Sequence, residues 1–495
     1  MTLSASARPL SVVIAGGGIS GLATAYYLRR AAEEAGRPLD LALYERAERV
    51  GGKMVTERRD GFVIEGGPDS LLTAKPWAVD LCRALGLGER LIPTNPESKT
   101  VYVYSRGKLH PIPEGLRLIA PTRLWPFLRS GLISWPGKLR MGLDLVLPTR
   151  KGGGDESIGA FVRRRLGHEA LIRLGEPMMA GIYVGDPDRL SLAATFPQFA
   201  ALEREHGGVI RGLRAGARDQ ARSRAGAVGG GPPAPMFVSL VGGTAELAEA
   251  LEAALGPAVL HKGQAISAVA SGNRSGQGET GGAGTSAGAR YRLTLADGST
   301  RDADVLVLAT PAPITAALLQ PLAPDLARRI AAIRHVSTAT VSLAFRRADI
   351  GHPLDGTGFV VARDTPVRIV ACTWSSVKYA HRAPDDSVLM RAFLGGHGRE
   401  ADVQADDDAL VALVRADLGR IMGIAAGPLL ARVFRWIGAN PQYEVGHLDR
   451  VAAIEAACPP GLHVVGAAYR GVGVPDCVRA AQTAARTVLE MGDAR

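Results

Sequence analysis

Cysteine is scarce and scattered. The 495-residue chain has four, Cys82, Cys372, Cys458 and Cys477, and no two stand at C-x-x-C spacing. That argues against a cysteine-built zinc site or a disulfide framework and fits a reducing cytoplasm. No run of about 18 uncharged apolar residues occurs, so no membrane-spanning helix is expected. The stretch Met1 to Leu10 has no long apolar core, which argues against a secretory signal. No basic cluster is interleaved with aromatics, so nucleic acid is not an expected partner. A Ser-His-Asp set, a metal-ligand cluster and a pair of facing carboxylates are also missing, and His335, His381 and His397 are scattered.

The formal net charge is +10. This suits an anionic substrate or an acidic membrane surface, and a general bias toward arginine reads equally well. The length points to two or more domains.

The informative stretch runs from Val12 to Glu45. An apolar run, Ser11 to Ala15, reads as a buried strand. Gly16-Gly17-Gly18-Ile19-Ser20-Gly21 follows as a G-x-G-x-x-G turn, then a helical stretch from Leu22 to Ala35. A second apolar run, Leu39 to Tyr44, ends in Glu45. This is a βαβ unit for a dinucleotide. Gly16 permits the tight turn, Gly18 lets a pyrophosphate approach the backbone, and Gly21 lets helix and strand pack closely. The helix N-terminus offers N–H donors to phosphate, and Glu45 is placed to accept from the ribose hydroxyls.

Two more glycine-rich segments follow, Val50-Gly51-Gly52-Lys53 and Gly66-Gly67-Pro68-Asp69-Ser70. A dinucleotide enzyme using NAD alone has no reason to hold both, so FAD is the expected cofactor. From Pro76 to about Gly226 helical patterns dominate. Within them, Thr100 to Tyr104 and Lys108 to Ile112 read as a hairpin. Gly115 to Arg150 is apolar and basic, with Trp125, Trp135, Arg123, Arg129 and Lys138. It reads either as a helical cap over the site or as a helix pair in a membrane interface. Ala215 to Pro235 looks like a mobile connector, and 271–288, small and polar throughout, like a disordered tip.

The expected fold is α/β: a Rossmann-like FAD-binding domain, a mixed-sheet substrate domain and a mainly helical lid or membrane-facing domain. The FAD-binding domain takes 1–75, 227–311 and 431–495. The lid takes 76–226, and the substrate sheet and helix take 312–430.

Four segments carry a more specific likeness: GGGISG at Gly16 to Gly21, GGPDS at Gly66 to Ser70, EPMMAGIYVGDPDRLS at Glu176 to Ser191, and AYRGVGVPDC at Ala468 to Cys477. Trp436, with Pro441-Gln442-Tyr443 and Gly446-His447, adds a fifth. On these the chain resembles the oxygen-dependent protoporphyrinogen and coproporphyrinogen oxidases, FAD-dependent members of the amine-oxidase-like flavoproteins. The likeness runs end to end apart from 271–288.

The resemblance implies FAD, molecular oxygen as acceptor, hydrogen peroxide as by-product and a cyclic tetrapyrrole as donor, in heme biosynthesis. By position it implies FAD contacts from Gly16, Gly17, Gly18, Ile19, Ser20, Gly21, Glu45, Arg46, Lys53, Gly67, Pro68, Asp69 and Ser70. Ala265, Trp436, Val472, Gly473 and Val474 complete them. Lys53 stands where such proteins usually carry Arg, and Ala467 where many carry an Asp, so backbone contacts are expected to replace that Asp. The GGK and GPDS spellings look closer to enzymes that take coproporphyrinogen III, with protoporphyrinogen IX as the alternative. Lys75 and Lys99 are candidates for the propionates and Phe393 for a wall of the macrocycle. By pathway, a ferrochelatase is the expected recipient of the product. The rival readings are an amine oxidase, a carotenoid desaturase, or a binding protein that keeps this fold without FAD.

Overall fold

The computed structural model describes residues 8–117, 119–181, 183–226, 235–272 and 289–493. In chain order the elements that build the site are strand β1 (Leu10–Ala15), helix α1 (Ile19–Glu34), and strands β2 (Leu39–Glu45), β3 (Leu260–Lys262) and β4 (Val305–Leu308). After these come β5 (His335–Arg346), β6 (Ser387–Gly395), β7 (Leu430–Pro441), β8 (Leu462–Val464) and helix α2 (Val474–Asp493).

A parallel sheet in the order β3-β2-β1-β4-β8 forms the nucleotide half. Its central strands β1 and β4 are almost wholly apolar and buried because both faces are covered. Val12 and Ile14 of β1 face a core shared with Leu22, Leu28 and Val478 of the two helices. Val13 and Ala15 face a second core with Tyr291, Leu319 and Ile330. The chain thus returns at β3, β4 and β8 to a sheet begun by its first two strands.

The second sheet is mixed. It runs β7-β5-β6, then Ala371–Trp374, Gly356–Val361, Thr100–Ser105 and Lys108–Pro111. Thr100–Ser105 pairs parallel with Gly356–Val361, whereas the other pairs are antiparallel.

This sheet corrects the divisions drawn at 76–226 and 312–430. The 100–111 hairpin belongs to the substrate sheet, and so does most of β7, beyond residue 430. A hairpin's own sequence fixes its turn but not its neighbour, and here the neighbour lies about 250 residues away. A second correction concerns 215–235. Residues 215–226 close a helix, Val209–Gly226, because Ala and Arg favour helix strongly enough to carry the glycines. Residues 227–234, and 273–288 of the expected disordered tip, lie outside the described residues, while Ser271 ends a strand, Ile266–Ser271.

The lid packs around Phe161, Leu171, Leu174 and Phe199. It is pinned by a charge pair with no exposure. Arg165 Nε donates to Asp144 Oδ1 at 2.6 Å, and Asp144 Oδ2 accepts the Ile210 N–H at 2.8 Å. The rest of the guanidinium reaches the carbonyls of Asp144, Leu147, Pro148 and Gly207. Removing one partner strands a buried charge. We therefore expect Arg165→Met to cost about 3–5 kcal/mol in chemical unfolding, and Arg165→Met with Asp144→Leu to recover part of that loss.

Candidate active site

The glycine turn after β1 makes the tight turn and the close helix packing expected of it. Gly16 sits at φ +104°, and a Cβ there would press on the Ala309 backbone of the strand next door. A Cβ on Gly21 would lie 1.9 Å from Gly16 O, so only glycine lets α1 start this close to its strand. A Cβ on Gly18 would meet nothing within 4 Å. Open space thus lies beside the N-terminus of a 16-residue helix that has no side-chain cap and no acidic residue in its first turn. Free N–H groups, a positive dipole end and room at the backbone fit a pyrophosphate. Glu45, at the end of β2, accepts the Gly17 N–H at 2.7 Å and the Ala47 N–H at 2.8 Å, which fixes its carboxylate beside the turn. Ala265 lies just past β3, next to that end of β2. Arg46 is exposed at the rim.

Two further segments line up behind. Gly51 N–H bonds to Gly17 O at 2.8 Å, and a Cβ on Gly52 would touch Gly18 Cα at 3.1 Å. Lys53 turns inward and donates to Ala439 O of β7, and burial pushes its pKa down. Gly67 then passes so close that a Cβ would lie 1.7 Å from Lys53 O. The three segments form one continuous backbone-lined trough, from the nucleotide turn through Gly51-Gly52-Lys53 to Gly66–Ser70. Trp436 reaches the same turn from β7, its Nε1 donating to Gly66 O at 2.9 Å.

The C-terminal segment closes the other side. Gly466 stands near Ser20, and Val472 and Gly473 lead into α2 at Val474. Ala467 makes no side-chain bond, and its carbonyl accepts the Tyr443 hydroxyl at 2.7 Å. The same hydroxyl accepts the Gly471 N–H at 2.8 Å, so a tyrosine holds the loop. Lys75 pairs with Asp476 in the first turn of α2 at 2.7 Å. Lys99 is exposed just before the Thr100–Ser105 strand, away from these bonds. Phe393 of β6 is half-buried, with the Arg391 guanidinium 4.8 Å from its ring centre.

Several participants were invisible in the sequence reading. Lys378 donates to Asp69 at 3.1 and 3.2 Å and to Ser70 Oγ at 2.9 Å. Tyr379 also reaches Ser70 Oγ, at 2.8 Å. Arg391 and Thr340 complete the set. Arg391 carried the one readable signal: it interrupts the apolar run Val388 to Leu394. Burial opposes ionisation of Asp69, but Lys378 and Arg391 outweigh it and hold the carboxyl at about 2.

A trough of glycines at the edge of a parallel sheet, roofed by a mixed sheet and a helical lid, defines a flavin-dependent oxidoreductase fold. The family described as flavin containing amine oxidoreductase matches residues 19–489. The chain belongs to that family, and its cofactor is FAD. It is 36% identical to the coproporphyrinogen III oxidase of Bacillus subtilis (strain 168), over 97% of both chains. It is 31% identical to the chloroplastic protoporphyrinogen oxidase 1 of Spinacia oleracea, over 97% of this chain and 84% of that one. A solved structure from Exiguobacterium sp. 255-15, assigned as a protoporphyrinogen oxidase, superposes with a TM-score of 0.83 at 35% identity, covering 97% of this chain and 99% of that one.

Two outcomes follow from this geometry. Gly18→Val places its side chain in open space, so the apoprotein should fold with an unchanged melting temperature while flavin absorbance falls to background. Gly21→Val should lose both. For Asp69 the folded-state pKa lies below the unfolded value near 3.9, so its stabilisation is present above that pH and fades as pH falls toward 2. It amounts to about 2–3 kcal/mol. Lys378→Met should remove much of it at neutral pH and flatten the dependence between about pH 2 and 4, as read by urea unfolding across that range.

Proposed function

We propose that this chain is an oxygen-dependent coproporphyrinogen III oxidase, forming coproporphyrin III and hydrogen peroxide. The observation that carries the reading is the likeness to coproporphyrinogen III oxidases over nearly the whole chain, with trough and lid both spanned by it. Protoporphyrinogen IX is the alternative substrate, supported by the spinach relative.

Bound FAD supplies the two-electron acceptor that takes hydrogen from the macrocycle's bridging carbons and hands electrons to oxygen. The protein binds, orients and excludes water. In this reading the N–H groups of the first turn of α1, with Gly16, Gly17, Gly18, Ile19, Ser20 and Gly21, hold the pyrophosphate. Glu45 takes the ribose, with Arg46 and Ala265 at the adenine end. Lys53, Gly67, Pro68, Asp69, Ser70 and Trp436 carry the flavin's far half, and Val472, Gly473 and Val474 face its pyrimidine edge. Phe393 walls the macrocycle. Lys75 would draw a propionate away from Asp476, and Lys99 would meet one only through movement of its loop.

The same reading extends to partners. Among the described residues no helix is long and apolar enough to cross a membrane. Yet the lid exposes Trp125, Trp135, Leu139 and Val146, each more than 60% accessible. Arg129 and Lys138 lie over the two tryptophan rings. A basic, aromatic, apolar face suits peripheral contact with an acidic bilayer, beside which product would pass to a ferrochelatase.

The deciding measurement is turnover of coproporphyrinogen III against protoporphyrinogen IX, followed by porphyrin fluorescence and peroxide yield. We expect at least a tenfold preference in kcat/KM for the former, and equal or reversed preference would overturn the choice. Trp125→Ala with Trp135→Ala should abolish co-sedimentation with anionic vesicles while leaving turnover in detergent-free solution unchanged.

A further inference from the structure

Behind the Gly66–Ser70 turn, three adjacent strands send donors to one carbonyl. Gly66 O accepts from Trp436 Nε1 of β7 at 2.9 Å, from Arg391 Nη2 of β6 at 3.1 Å and from Thr340 Oγ1 of β5 at 3.3 Å. Arg391 Nη2 also donates to Gly67 O at 2.6 Å. The arginine is 4% exposed, and its Nε has no hydrogen-bond partner. Arg382, which faces the same carboxyls Asp69 and Glu65, is 1% exposed and bonds to Ser239 Oγ and to the carbonyls of Leu240 and Val241. Neither guanidinium forms an ion pair among the described residues.

The charges around the turn do not balance. Arg391, Arg382 and Lys378 are three cations. The carboxyls that face them and are not already paired with another arginine are two, Asp69 and Glu65; Glu246, which also faces Arg382, is paired with Arg90 at 2.5 Å. Asp69 is already paired with Lys378 at 3.1 Å. Glu65 is held by neutral donors, Thr56 Oγ1 and the Thr244 N–H, each at 2.7 Å. Burying a guanidinium with only carbonyls for company is costly unless an anion is expected nearby. Two-electron reduction with one proton leaves a flavin ring carrying one more negative charge than before.

We propose that Arg391 is a positioning residue with an electrostatic duty: it pins the Gly66-Gly67 backbone and, by its uncompensated positive charge, raises the reduction potential of the flavin that lies along this turn. The inference rests on the placement of the flavin under Proposed function. Arg391 helps the ring accept electrons from the macrocycle without touching it. Asp69 opposes Arg391 and lowers the potential.

Anaerobic reductive titration of the FAD-loaded protein against a reference dye tests this. Arg391→Met should lower the two-electron equilibrium constant at least tenfold, about 30 mV, whereas Arg391→Lys should keep most of the wild-type value. Asp69→Asn should move the potential the other way. Sulfite, which adds to oxidised flavin to give an anionic adduct, should bind at least tenfold more weakly to Arg391→Met. A wild-type potential in Arg391→Met at full flavin occupancy overturns the proposal. If that variant does not fold, Asp69→Asn decides, and an unchanged or lowered potential there overturns it. A wild-type chain that takes up no FAD defeats the cofactor placement itself, and this inference falls with it.

Discussion

Everything in the site depends on backbone meeting backbone where a Cβ would not fit. Gly21 against Gly16 O and Gly67 against Lys53 O leave less than 2 Å for a side-chain atom. With the Gly51 N–H to Gly17 O bond at 2.8 Å, they hold the nucleotide turn, the Gly51–Lys53 segment and the Gly66–Ser70 turn in one trough. Gly18, by contrast, has space beside it that no described residue fills within 4 Å of a Cβ. The distinction separates glycines needed for folding from one needed for ligand approach. A sequence motif alone gives all of them the same letter.

The second sheet turns that trough into a reaction site. β5, β6 and β7 lie side by side, and each sends one polar side chain toward Gly66. A carbonyl with two lone pairs that draws three donors is held firmly. The lid's buried Arg165–Asp144 pair and its carbonyl contacts do similar work at a distance, fixing the helices over the site by a network in which each charged atom is met.

What was legible in the sequence follows from the range of the interactions. The βαβ unit is local: strand, turn, helix and acid fall within 34 residues, from Val12 to Glu45, and each step has its own residue signature. The trough glycines were legible for the same reason. The hairpin at 100–111 was legible as a hairpin but not as part of the substrate sheet, because its partner strand is remote and a two-residue period fixes no neighbour. Lys378 carried no pattern at all; its role arises only when distant segments meet. Arg391 was the exception that a stricter reading would have caught. An arginine amid Val, Leu, Met, Ala and Phe in a largely buried strand has to be answered by something.

Tyr443 shows how the parts are coupled. Its ring stacks on His447 at 3.9 Å and meets Tyr183 of the lid segment at 6.0 Å. Its hydroxyl joins Ala467 O to the Gly471 N–H, on either side of the loop that leads into α2. Burial pushes His447 down to about 4, so the stack is neutral at physiological pH, and its Nε2 bonds to Tyr469 O at 2.8 Å. Where many relatives of this fold are expected to place an acid on the loop, this chain has Ala467 and holds the loop from beneath with a phenol. The lid therefore cannot shift at Tyr183 without disturbing the ring that orders the C-terminal side of the trough.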